Sequence, residues 1–210
     1  MNIMINILIG VIAGLVIIGT LETYFSFPII ITLSISYILI FSLLYGFLFM
    51  QNNREKDSRK VEKRLKNNRK HPYYGFILAM SNRNDRQVIL TYRKMIKNKK
   101  YLRFYPQITI LFSLYFDQAL GLEDEIKKLK RPAWRAYYKT IILLKQNELN
   151  QAEEVLKTIK VSWMKEALLC EWKLKIGDRN QAQKHANLAL KHARGIILYQ
   201  LKKEYENKFS

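Results

Sequence analysis

The sequence predicts an all-α protein: a transmembrane helical hairpin at the N-terminus, then a cytoplasmic helical-repeat domain of the solenoid class. Three observations predict it. Residues 1–50 contain no Lys or Arg and a single charge, Glu22, whereas residues 51–70 carry nine bases. Residues 72–210 hold only three Pro and four Gly, and their apolar residues recur at helical spacing. Two stretches in the last third, 145–152 and 175–182, repeat one another.

The hairpin comes first in the chain. Residues 3–19 form an apolar run interrupted by Asn6, and residues 28–50 form a second, broken mainly by Thr, Ser and Tyr. A helix needs about 20 apolar residues to cross roughly 30 Å of hydrocarbon. The expected spans are therefore about 3–20 and 28–50, within a first segment of 1–50. Lys and Arg near a span stay on the cytoplasmic side. The 20–27 loop has neither, so it faces outward and both termini face the cytoplasm, in the cell membrane. A cleaved signal peptide would need a basic n-region and a small-x-small cleavage site; the sequence has neither. Gly10 and Gly14 form a GxxxG motif, and Ser42 and Gly46 a small-xxx-small motif. Small residues let helix backbones approach closely in lipid. Packing of the two spans against each other is their simplest use; self-association into a homo-oligomer is the alternative.

The basic block follows: Arg54, Lys56, Arg59, Lys60, Lys63, Arg64, Lys66, Arg69 and Lys70. The formal net charge is +19. A domain this basic suits a polyanion, either an anionic membrane surface or nucleic acid. Juxtamembrane bases gain roughly 1 kcal/mol each near anionic lipid. Since a bilayer is already at hand, the nine bases are read as contacts with the anionic inner leaflet, and nucleic acid is the alternative partner. Residues 51–71 are expected to be a juxtamembrane helix continuing from the second span, or a solvated linker. The single cysteine, Cys170, excludes an internal disulfide and fits a reducing compartment.

Residues 72–210 are expected to be the folded domain. Breaks in the apolar pattern fall at residues 81–85, 98–100, 121–124, 131–132, 146–149, 160–162, 177–179 and 194–195. Pro132 is suited to the first turn of a helix and Gly177 to the end of another. The reading is about nine short helices in antiparallel succession.

The internal repeat aligns Lys145-Gln146-Asn147-Glu148-Leu149-Asn150-Gln151-Ala152 with Lys175-Ile176-Gly177-Asp178-Arg179-Asn180-Gln181-Ala182. Asn147 stands opposite Gly177, and both residue types tolerate the left-handed conformation that ends a helix. Ala152 and Ala182 mark positions where helices approach closely. Residues 177–182 resemble the interhelical turn of the tetratricopeptide repeat family. That resemblance implies helix pairs stacked into a superhelix, with Thr140 and Cys170 at the small position of each first helix and Ala189 at the small position late in the second. It also implies binding of peptides or helices by the inner helices. The period, measured from 147 to 177, is shorter than the family's, which is about 34. Arg179 and Leu149 replace the family's aromatic turn residue, and its closing Pro is absent. Fainter copies fall at residues 81–88 and 119–126.

Chemical motifs are few. There is no Gly-rich phosphate loop, His-Glu-x-x-His or Cys-x-x-Cys. His185 and His192 are seven apart, whereas a metal pair on one helix face needs a spacing of three or four. The sequence therefore points to no enzyme, no metal and no cofactor. Bases and aromatics interleave over residues 94–105, a pattern that suits RNA or a membrane interface, or else a helix end followed by core aromatics. Trp134, Tyr137 and Tyr138 either pack between repeats or line a groove for a peptide. The function read from the sequence is a membrane-anchored adaptor or scaffold that binds another protein.

Overall fold

The computed structural model describes residues 54–210 and, before them, residues 16, 19, 20, 31 and 34–42. The chain divides into two compact units, Met1–Arg54 and Glu55–Ser210. In the first unit the described residues are helical up to residue 42. Tyr37, Ile38 and Phe41 are exposed there, whereas Ser36 is buried. Of the four residues expected to pack between the spans, Ser42 is helical and exposed, and Gly10, Gly14 and Gly46 lie outside the described residues. Among the described residues no helix is long and apolar enough to cross a membrane. Most of the two apolar runs lies outside them.

The second unit is helical throughout its described length. Its helices are α1 (Ser58–Asn67), α2 (Pro72–Ser81), α3 (Asp85–Ile96), a 3-10 helix (Lys99–Phe104), α4 (Tyr105–Tyr115), α5 (Glu123–Lys127), α6 (Pro132–Lys145), α7 (Leu149–Lys157), α8 (Ser162–Lys175), α9 (Arg179–His192) and α10 (Gly195–Phe209). Local chemistry sets the boundaries. Pro72 and Pro132 open their helices, where a missing N–H costs nothing. Asp57, Asn84 and Asp178 cap α1, α3 and α9 by accepting from the backbone N–H of Arg59, Gln87 and Gln181.

The folded unit starts earlier than the sequence suggests. Residues 51–71 are expected to be a separate juxtamembrane segment. Instead, α1 is amphipathic and buries Ser58, Val61 and Leu65. Val61 and Leu65 join Phe76, Ile77, Val88, Met95, Ile108 and Tyr199 in one core cluster. The boundary lies at Glu55, whose carbonyl accepts from the Gly195 N–H at 2.8 Å. The bases on the outer face of α1 mask an apolar i, i+4 pair that docks the helix.

Four helix ends share one geometry. Arg83, Asp117, Asn147 and Gly177 all adopt positive φ, between 54° and 81°. At each, the next residue's N–H returns to a carbonyl five positions back: Asn84 to Ala79, Gln118 to Ser113, Glu148 to Leu143 and Asp178 to Lys173, at 2.8–3.0 Å. This is the Schellman closure, which satisfies the orphan carbonyls at the helix end. The later elements repeat evenly. α6 and α8 each have 14 residues. α8 begins at Ser162 where α6 begins at Pro132, and α9 at Arg179 where α7 begins at Leu149, the same offset that separates Asn147 from Gly177. Asn147 and Gly177 thus end their helices in the same way, and the same closure occurs at Arg83, within residues 81–88. The faint copy at 119–126 is out of register: its left-handed turn is at Asp117, and the second helix there, α5, has only 5 residues.

A contact recurs at each joint between successive hairpins. The residue ending one first helix reaches back to the left-handed residue of the preceding turn. Lys145 pairs with Asp117, and Lys175 Nζ donates to Asn147 Oδ1 at 2.8 Å. At the earlier joint the Arg83 guanidinium lies 5.6 Å from the centre of the Tyr115 ring. Between the helices of the last two hairpins the small residues Thr140, Ala152, Cys170, Ala182 and Ala189 are buried. Cys170, Ala182, Ala186 and Ala189 pack together in one cluster.

Two glycines separate packing from conformation. A Cβ on Gly75 would lie 2.8 Å from the Arg69 carbonyl oxygen, whereas a Cβ on Gly177 would meet nothing within 4 Å. Gly→Ala in a helix ordinarily gains about 1 kcal/mol. Gly75→Ala should instead destabilise the unit by about 1–3 kcal/mol, because backbone must move. Gly177→Asn should be nearly neutral, whereas Gly177→Val should cost about 1–2 kcal/mol for a branched residue at positive φ. Thermal unfolding of the three variants checks all of this, and equal losses would refute the distinction.

Candidate functional site

The first helices of the four hairpins, α2, α4, α6 and α8, contribute to one cavity of about 800 Å³, and α10 closes another side of it. Helical repetition puts them there: each first helix ends at the same turn, so equivalent faces point the same way. The cavity wall is rich in aromatic side chains. Trp134 and Tyr137 of α6 meet Trp163 of α8, with ring centroids 5.6 and 5.4 Å apart. Trp134 stacks on Tyr138 at 5.6 Å and meets Tyr137 edge-on at 5.7 Å. These side chains pack between hairpins, and Trp134, Tyr137, Tyr138 and Trp163 also line the cavity.

The α10 side is charged. Lys208 pairs with Glu171 of α8 and, at 2.8 Å, with Glu204 of its own helix. Burial opposes the Lys208 charge, but the Glu204 and Glu171 carboxylates outweigh it and hold its pKa above the ordinary lysine value. Burial pushes the Glu171 carboxyl up, against the pull of Lys208. Arg179 of α9 also reaches α10, donating to the Lys208 carbonyl at 3.3 Å and lying over the Phe209 ring.

α10 belongs to both ends of the unit. Leu198, Leu201 and Tyr205 pack with Cys170 and the alanines of α9. Tyr199 packs with Val61, Leu65 and Phe76 at the other end. Nothing in the sequence hints at this closure, because residues 195–209 match no repeat position.

The remaining residues singled out from the sequence are dispersed. Cys170 is buried, and burial pushes its thiol up to about 12, which suits a packing role. His185 Nδ1 lies 2.7 Å from Glu166 Oε2, joining α9 to α8, and His192 is exposed. Of the nine bases, Arg64 pairs with Glu55, Lys66 with Glu62 and Arg59 with Asp57. Arg54, Lys56, Lys60, Lys63, Arg69 and Lys70 are exposed and form no salt bridge among the described residues. None of the nine lines the cavity. Comparison with known proteins finds no matching family, no matching curated protein and no matching solved structure.

The Tyr205 hydroxyl is buried, has no oxygen or nitrogen partner among the described residues, and has only the weakly accepting Cys170 thiol beside it. Burial raises its pKa far above the ordinary 10.0. Above pH 10 the folded chain keeps this proton and the unfolded chain releases it, so stability falls as pH rises. Tyr205→Phe should leave stability at pH 7 unchanged or slightly higher, since at most a weak hydrogen bond to the thiol is lost, and should make the alkaline decline shallower. Denaturant titrations at pH 7 and pH 11 test this; a loss at pH 7 would show that the hydroxyl is satisfied.

Proposed function

We propose that this chain is a membrane-anchored adaptor. In this reading, two spans at about 3–20 and 28–50 fix it in the cell membrane with both termini in the cytoplasm, and a tetratricopeptide-like array of helical hairpins binds a partner protein. The observation that carries the reading is the cavity lined by equivalent faces of four successive first helices and rich in aromatic side chains. Such a surface suits a helix or extended peptide inserting apolar anchors, because aromatic residues dominate binding hot spots. The repeating turn at Arg83, Asp117, Asn147 and Gly177 supports the tetratricopeptide-like reading. The anchor is supported by the charge asymmetry around residue 54 and by exposed Tyr37, Ile38 and Phe41 around a buried serine, an inside-out pattern suited to lipid.

Two experiments test the two halves of the reading. A cysteine at Thr23 should react with an impermeant thiol reagent in intact cells, and one at Asn207 only after permeabilisation; labelling of Asn207 in intact cells would overturn the topology. A photo-crosslinker at Leu120, which lines the cavity and is 83% exposed, should give a discrete protein adduct in native membranes. The same probe at Asn187, on the outer face of α9, should give none. Trp163→Ala should weaken the Leu120 adduct about tenfold, the effect of removing a hot spot of roughly 1.4 kcal/mol or more. Equal adducts from both positions would remove the cavity from consideration.

A further inference from the structure

We propose that the 3-10 helix Lys99–Phe104 is a lipid-insertion point that holds the folded unit against an anionic bilayer surface; the inference rests on the membrane-anchored reading above. Positive charge within the unit is uneven. Residues 63–116 carry thirteen Lys and Arg and one acid, Asp85, whereas residues 117–210 carry nineteen bases and twelve acids. At one corner of the basic half, apolar side chains stand in solvent: Leu102 is 63% and Phe104 42% exposed. Ile96, at the end of α3, is also exposed, and its carbonyl accepts from the Tyr105 hydroxyl at 2.5 Å, which ties α3 to this corner. Lys97, Lys99, Lys100 and Arg103 interleave with these apolar residues along the chain, are exposed, and form no salt bridge among the described residues.

The corner continues into the basic block. His71 meets Tyr101 with ring centroids 5.9 Å apart, and the Tyr101 hydroxyl lies 3.3 Å from His71 Nε2. Arg69 and Lys70 are thereby held beside the 3-10 helix. Exposed apolar tips interleaved with exposed bases suit an interfacial membrane binder: the bases approach anionic headgroups while leucine and phenylalanine enter the acyl boundary.

The same charge could serve RNA, but the side chains favour lipid. Single-stranded RNA binding needs free aromatic faces on which bases stack. One face of Phe104 carries the Arg103 guanidinium at 4.8 Å, and the Tyr101 ring is engaged edge-on by His71. Leu102 and Ile96 have no such face. Exposure alone does not make an insertion point: Leu120 is more exposed, but it lies close in sequence to Glu123, Asp124 and Glu125.

The test uses the full chain, with Cys170→Ala, in nanodiscs containing phosphatidylglycerol and phosphatidylcholine. Single cysteines replacing Leu102 or Leu120 carry an environment-sensitive fluorophore, and a nitroxide on the lipid acyl chain acts as quencher. Both positions are exposed, so neither label disturbs the core. Quenching at position 102 should exceed that at 120 at least threefold, and should fall severalfold in discs of phosphatidylcholine alone. Equal or absent quenching at 102, in a chain that stays with the disc, overturns the insertion point and leaves the anchor standing. A chain that leaves the disc, but is quenched at 102 by phosphatidylglycerol vesicles, supports the insertion point and overturns the anchor. Loss of the 102 signal to single-stranded RNA at physiological salt overturns the lipid assignment.

Discussion

The folded unit depends on reversing the chain through one residue of positive φ at the end of each first helix. A helix end leaves carbonyls without partners, and the left-handed residue returns the next N–H groups to them. That closure fixes where the following helix starts and which face it presents to its partner. Arg83, Asp117, Asn147 and Gly177 do this with four different side chains. The backbone geometry is therefore the constant, and the side chain only has to tolerate it. The reach-back contacts of Tyr115, Lys145 and Lys175 act on the left-handed residues at 83, 117 and 147, by cation–π, ion-pair and hydrogen-bond chemistry in turn. Largely exposed contacts of this kind contribute about 0–1 kcal/mol each. Their value lies in setting the register of one hairpin on the next.

Register is what produces the cavity. Because the first helices end at equivalent turns, their equivalent faces converge, and Trp134, Tyr137 and Trp163 meet across the α6–α8 boundary. Large side chains of one hairpin fill space against the next, and part of each aromatic surface remains on the cavity wall. The small residues sit beside that face on the same helices. Thr140 and Cys170 occupy equivalent places in successive hairpins, and Cys170 lies against Ala182 and Ala186. The same periodicity thus places bulk toward the cavity and close backbone approach toward the second helices.

Much of this is legible in the sequence, for identifiable reasons. The helix start at Pro132 and the helix end at Gly177 are announced by residues with distinctive conformational ranges. Asn147 can be paired with Gly177 because both tolerate positive φ. Arg83 offers no such signal: arginine is uncommon in that region, and only the Schellman bonds reveal the turn. Asp117 is hidden by Gly121, a better-known marker four positions on, and also positive in φ. The first interval between turns, from Arg83 to Asp117, is longer than the two that follow, so the earlier copies do not align on the later period. The docking of α1 is obscured because charge dominates its composition, and two apolar residues, Val61 and Leu65, suffice to dock it. The role of α10 is carried entirely by long-range contacts, which no local pattern encodes.

The closure by α10 has a consequence for the order of assembly. A chain of stacked hairpins can gain structure progressively, each unit resting on the one before. Here the packing around Val61, Leu65 and Phe76 also includes Tyr199, and the Glu55 carbonyl waits for the Gly195 N–H. The first hairpin of the folded unit therefore cannot complete its interior until Gly195 and Tyr199 have been made. Until then the cluster of Val61, Leu65 and Phe76 lacks the Tyr199 ring that completes it. Loss of the last turn of α10 would be felt first at α8 and α9, where Tyr205, Lys208 and Phe209 make their contacts, and only a cut reaching Tyr199 would open the packing at the other end of the unit.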